Sequence, residues 1–189
     1  MSGTPKEKPS KAKTKTTKRR NIVSSAHLVS ERAAELSAFE YGLYIASNAF
    51  ERWIVRCMAA AGLPELGSLD VMVLHTVNHR ARDKRLADIC FVLNIEDSHT
   101  VNYALKKLAR LGLVAGDKRG KEIFYATTAE GAEVCVKYRE VREACLVNSF
   151  SAFAGEKGED LNAEIGQAAD LLRALSGLYD QAARSATSL

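Results

Sequence analysis

A chain of 189 residues, 47% hydrophobic, has enough apolar material for one or two ordinary cores, and no run of about 18 apolar residues suggests a membrane span. Its formal charge of +4 is segregated: residues 1–20 hold eight Lys/Arg against one Glu, residues 80–125 hold ten basic against six acidic side chains, and the remainder is net acidic. Cations clustered in this way are what a polyanionic partner requires. The carboxylates are scattered, and no Gly-rich phosphate loop, G-x-S-x-G turn or H-E-x-x-H motif occurs, so catalysis is not expected.

After Met1 the opening stretch MSGTPKEKPSKAKTKTTKRR has no large apolar side chain with which to offset the entropy of ordering, so residues 1–25 are expected to form a disordered basic tail. Such a tail either holds DNA phosphates without sequence preference or serves only as a solubilising extension. It lacks the apolar stretch of a secretory signal, and a cytoplasmic location follows as the expectation. In that reducing compartment Cys57, Cys90, Cys135 and Cys145, none at CxxC spacing, read as small buried apolar side chains.

From Leu36 apolar residues recur at three- and four-residue steps through Phe39, Leu43, Phe50, Trp53, Ile54, Cys57 and Met58 until Gly62-Leu63-Pro64 stops the helix. Ser68 reads as the N-cap of a second helix, almost continuously apolar from Val71 to Val77 and therefore buried. KRLADICFVLNI supplies a short third helix with Leu86, Ile89, Cys90 and Leu93 inward. DSHTVNYALKKLARLG supplies a fourth, with Val101, Ala104, Leu105 and Leu108 inward and Gly112 as a left-handed stop. Strands are expected at Leu113–Gly116 and Glu122–Thr127. A long helix follows from an N-cap at Thr128 through Val147, then the loop AGEKGED and a last helix over roughly Leu161–Arg184.

Two short helices with a tight connection, followed at once by a charged hairpin, make a winged helix-turn-helix. If the fourth helix buries Val101, Ala104, Leu105 and Leu108, its outer face near the N-terminus presents Ser98, His99, Thr100, Asn102, Tyr103 and Lys106, with Lys107 towards a flank. These side chains can read base edges or neutralise phosphate in a major groove. The hairpin tip carries Lys118, Arg119 and Lys121, with Gly120 to turn it and Asp117 to orient Arg119, and can reach a neighbouring minor groove. The expected fold is mostly α with a small β-hairpin wing, in three parts after the tail: an N-terminal helix over 30–66, a DNA-binding lobe over 67–128 and C-terminal helices over 129–189. The terminal helices are too apolar for the small lobe to cover, and that excess suggests pairing with a second copy.

The stretch RLADICFVLNIEDSHTVNYALKKLARLGLV followed by GDKRGKEIFYATTAEG resembles the MarR family of bacterial transcription regulators over about Leu36 to Leu178. The pattern is Leu-x-x-x-Gly-Leu-Val at Leu108 to Val114, Asp-x-Arg at Asp117 and Arg119, and Thr-x-x-Gly at Thr128 and Gly131. That resemblance implies a homodimer joined through its terminal helices, with two recognition helices in successive major grooves of pseudo-palindromic double-stranded DNA. FEYGLYIASNAFERWIVRCMAAAG and ADICFVLNIEDSHTVNYALKKL look closest to the LdtR-like regulators, implying control of cell-envelope genes such as an L,D-transpeptidase. A wing with Gly120 and Lys121 after the arginine departs from the family pattern, so base recognition is assigned to the helix before it.

Family resemblance also implies a small aromatic ligand, for which Tyr41, Tyr44, Asn48, Phe50, Trp53 and His75 are the candidate residues, each with core packing as its alternative. No cofactor is implied. Cysteine sensing has little support, since Arg56 beside Cys57 is not on the same helix face. His75 and His79 share a face, yet no third ligand accompanies them, and no metal is expected. A winged helix can also bind protein or RNA, but the polar face of the fourth helix favours DNA.

Overall fold

The computed structural model describes residues 22–30, 32–155 and 158–189. The basic tail expected over 1–25 falls outside the described residues as far as position 21. The chain divides into two compact units at Phe50 and Glu51.

In the first unit a short 3-10 turn, Ala26–Leu28, precedes the start of helix α1, Ala34–Ala60. Ser37, 8% exposed, donates its hydroxyl to the Leu28 carbonyl at 2.5 Å and so ties the turn to the helix. Most other side chains of this part of α1 are open to solvent, including Leu36, Tyr44, Ile45 and Phe50.

The second unit takes up α1 at Glu51 and continues with α2 (Ser68–Asn78), a 3-10 turn (His79–Ala81), β1 (Lys84–Arg85), α3 (Leu86–Leu93), α4 (Ser98–Arg110), β2 (Val114–Arg119), β3 (Glu122–Thr127), α5 (Ala129–Arg142), α6 (Asn148–Ala154) and α7 (Gly158–Ala186). The fold is mostly helical with one small antiparallel sheet in the order β1-β3-β2. Its core gathers Ile54, Cys57 and Met58 of α1, the Val71–Val77 run of α2, Ile89 of α3, the inner face of α4, and Val134 and Tyr138 of α5. Val101, Ala104, Leu105 and Leu108 are all at most 3% exposed, as their helical spacing requires.

Local chemistry sets the element ends. Helices α1, α3 and α4 each stop on a left-handed residue, Gly62 (φ 106°), Asn94 (φ 53°) and Gly112 (φ 75°). In each case the next amide returns to the carbonyl five residues back: Leu63 to Met58, Ile95 to Cys90 and Leu113 to Leu108. Thr128 caps α5 as expected, accepting the Gly131 amide at 3.0 Å while donating to the Gly112 carbonyl at 2.7 Å.

Four expectations need correction. The N-cap of α2 is Gly67, not Ser68; what satisfies it is Asp70, whose carboxylate accepts the Gly67 amide at 2.9 Å. The wing is longer than a four-residue strand, because β2 continues to Arg119 and pairs with β3 in full register from Val114↔Thr127 to Arg119↔Glu122. A third strand, β1, joins its other edge through Lys84↔Tyr125 and Arg85↔Phe124. Finally, the long helix from Thr128 is interrupted at Glu143–Val147 by a π-helical turn before α6.

Candidate nucleic-acid interface

Helix α4 is held at both ends and on its inner side, which leaves one face free. Asp97 caps it, taking the His99 amide on Oδ1 at 2.9 Å, while Thr100 Oγ1 donates to the Asp97 carbonyl at 2.8 Å. The exposed residues Ser98, His99, Tyr103 and Lys106 and the half-buried Asn102 follow on the outer face. Lys106 Nζ stands 5.9 Å from the Tyr103 ring centroid, so the aromatic ring steadies the cation at the surface. Thr100 is exposed, with its proton committed to the helix cap and its lone pairs available.

Lys107 differs from its neighbour. Its ammonium is 2.6 Å from Asp70 Oδ2 and 2.7 Å from the Glu65 carbonyl, with the side chain 30% exposed. Among the cations expected on this helix, it is the one turned to the body of the protein.

On the wing, Gly120 takes the positive φ (65°) that lets Arg119 and Glu122 face each other across a two-residue tip. Lys118, Arg119 and Lys121 are exposed. The Arg119 guanidinium is tethered from two directions, by Asp117 Oδ2 to Nε at 2.8 Å and by Asp83 Oδ2 to Nη2 at 2.5 Å, and lies 4.8 Å over the Phe124 ring. Both carboxylates raise its pKa, Asp117 first. The expected Asp117 contact is present; the Asp83 contact was not legible, because thirty-six positions separate the pair. Beside it Arg85 bonds Asp88 at 3.1 Å and Glu122 at 3.2 Å, so the start of α3 is fastened to β3.

The outer face of α4 and the wing come together. Asn102 of α4 and Lys121 of the wing tip line one groove of about 380 Å³ with Arg85, Leu86, Ile123 and Tyr125. Residues from β1, α4 and the wing therefore line one concavity, which also holds the Glu122 carboxylate bonded to Arg85.

The candidate ligand residues fall into both units. In the first, Tyr41 is half-buried and Tyr44, Asn48 and Phe50 are exposed; in the second, Trp53 and His75 are half-buried. His75 meets the Tyr138 ring edge-on at 4.5 Å between centroids, and its Nε2 is buried without a hydrogen-bond partner. Burial raises the thiol pKa of Cys57 and Cys90 and pushes that of Cys135 up to about 11, which keeps these thiols protonated. Cys145, read from sequence as buried, is exposed on the π-helical turn. Among the described residues no group of His, Cys, Asp and Glu is arranged to hold a metal, and no helix is long and apolar enough to cross a membrane.

Residues 66–131 match the winged helix DNA-binding domain family. No curated protein matches the chain. Among solved structures it is similar to a MarR family transcription regulator at 14% identity (TM-score 0.63, covering 79% of this chain and 95% of that one). A MarR family regulator from Rhodococcus sp. is similar at 14% identity (TM-score 0.58, 72% and 91% covered), and one from Neisseria meningitidis at 19% (TM-score 0.53, 75% and 95% covered). At these identities the likeness is one of fold.

Proposed function

We propose that the chain is a MarR-type transcription regulator that binds a pseudo-palindromic DNA site as a homodimer, each copy laying α4 in a major groove and its wing along the flanking backbone. The observation that carries this reading is the shared groove of Asn102 and Lys121, which joins a base-reading side chain to a phosphate-binding one. The basic tail adds contacts that do not depend on sequence.

Dimerisation is supported by the terminal helices. Helix α7 runs for 29 residues with no buried side chain, and Ile165, Leu171, Leu172 and Leu178 are each at least 40% exposed. Apolar surface of that extent on one helix is matched by a second copy of itself. A small aromatic ligand keeps two separate sets of candidate residues, Tyr41, Tyr44, Asn48 and Phe50 in the first unit and Trp53 and His75 in the second, and their aromatic, amide and imidazole chemistry suits such a ligand. It regulates only by favouring one spacing of the recognition helices over another. Control of cell-envelope genes rests on the resemblance to the LdtR-like regulators, and a cytoplasmic location follows from a DNA-binding role.

The test is substitution on the outer face of α4. Asn102→Ala and His99→Ala should each weaken specific DNA binding by ~1–3 kcal/mol while the dimer persists. Genomic footprinting supplies the operator, and wild-type specificity in both variants on that operator would remove α4 as the reading helix.

A further inference from the structure

Between α2 and the wing the chain makes a short strap whose only inward-facing cation is Lys84 among the residues described there. Lys84 is 7% exposed, and its ammonium donates to three main-chain carbonyls, Val77 at 3.0 Å, His79 at 2.6 Å and Arg82 at 2.9 Å. All three protons of the ammonium are thereby used. The carbonyls converge because the chain leaves α2 and reverses through Arg80, a non-glycine residue at φ 62° and ψ 20°. Three oxygens crowded at the negative end of a helix need a cation between them. Burial lowers the pKa of Lys84, with Arg82 adding to the effect and Asp83 opposing it.

The residues on either side point the other way, as strand alternation requires. Asp83 takes the guanidinium of Arg119, and Arg85 bonds Glu122. Lys84 itself pairs with Tyr125 in the sheet. One face of the strap thus grips the wing and the other grips the end of α2.

We propose that Lys84 is a positioning residue for DNA binding: its ammonium locks the strap to the end of α2 and so holds the wing, with Arg119, at a fixed attitude to the recognition helix. The inference rests on the DNA-binding function proposed above, and it places a residue essential to wing contacts where DNA never touches it. Without the ammonium the three carbonyls turn to water, the strap loosens, and Asp83 no longer presents Arg119 from a fixed point.

The substitution that isolates this role is Lys84→Met, which keeps the length and apolar stem but removes every donor; Lys84→Gln, retaining one donating group, serves if the first fails to fold. In full-length protein, hydrogen exchange at residues 114–127 should quicken about fivefold or more, while 98–110 keep their wild-type rates. On the operator, affinity should fall about 10-fold, the salt slope should become shallower by about 2 as wing cations lose their phosphates, and footprint protection should be lost at the flanks alone. A merely destabilised lobe would lose centre and flanks together and keep its salt slope. Asp83→Asn cuts the same strap from its other face, so the two substitutions combined should cost less affinity than the sum of each alone. Wild-type wing exchange in Lys84→Met, or additive losses, overturns the proposal. A loosened wing in a protein whose wild type has no specific DNA site overturns the functional reading and leaves Lys84 as the lock.

Discussion

Lys107 and Asp70 meet at 2.6 Å between the inner flank of α4 and the first turn of α2, and the same carboxylate oxygen accepts the Gly67 amide that begins α2. One carboxylate therefore caps a helix and anchors α4 to it. Both partners are largely withdrawn from water, with side chains 30% and 13% exposed, so removing one strands the other. Asp70→Ala should destabilise the fold by about 2 kcal/mol in urea unfolding, combining a lost cap with an unpaired ammonium. A change below about 0.5 kcal/mol would mean the pair behaves as a surface bridge.

The contrast between adjacent lysines gives a second test. Lys106 is exposed on the outer face, whereas Lys107 is spent on Asp70 and the Glu65 carbonyl. Replacing Lys106 with Gln should reduce the salt slope of DNA binding by about 0.9, the contribution of one phosphate. Lys107→Gln should leave the slope unchanged and show its effect in thermal stability. Equal slope changes would place both ammonium groups on DNA.

Gly131 shows why the Thr-x-x-Gly step opens α5. A Cβ built there would collide with the Leu113 carbonyl oxygen and lie 2.8 Å from Thr127 Cγ2. The first of these is main chain in the step from α4 to β2, fixed by its bond to the Thr128 amide at 3.1 Å, and cannot yield as a side-chain tip would. Gly131→Ala should cost about 3 kcal/mol or more, read as a large fall in the unfolding midpoint at unchanged slope. Gly120→Ala, whose Cβ would meet open space, should cost only about 1 kcal/mol, through its positive φ.

The features most legible in the sequence were those written as a period or a stop. The inner stripe of α4 and the left-handed ends at Gly62 and Gly112 need only local chemistry, and they stand where that chemistry puts them. Strand β1 has two residues, too few to carry an alternation, and so it had no signal. Lys84 and Lys107 counted as part of a cationic surface, yet one is buried among carbonyls and the other is half-buried against a carboxylate; composition records charge but not what meets it. The π-helical turn at Glu143–Val147 shifts hydrogen bonds by one residue without altering the apolar pattern, which is why the expected helix ran straight through it.

Helix α7 offers a test of the proposed dimer. Leu171, Leu172 and Leu178 are 50%, 40% and 56% exposed on a helix whose own chain buries none of its side chains. Leu172→Glu, alone or with Leu178→Glu, should lower the sedimenting mass from dimer towards monomer at micromolar concentration and weaken operator binding, since a single half-site loses the second lobe. The isolated lobe should keep its fold, because its core draws nothing from α7. A variant that remains dimeric would move the interface to the exposed face of α1.

His75 couples the core to pH. Its ring lies edge-on to Tyr138, its Nε2 is buried without a partner, and burial holds its pKa below the ordinary 6.5. The folded protein therefore favours the neutral ring, while the unfolded chain takes up a proton near pH 6.5. Stability from this site is fully present above that pH and is lost as pH falls towards the folded value, because only the unfolded state gains the proton. His75→Leu removes the titration and the partnerless nitrogen together while keeping an apolar contact for Tyr138. Urea unfolding from pH 7.5 to 5.5 should show the wild type losing stability more steeply than His75→Leu, with the two curves parallel above about pH 7. Parallel curves throughout that range would mean that His75 accepts its proton in the folded state as readily as in the unfolded one.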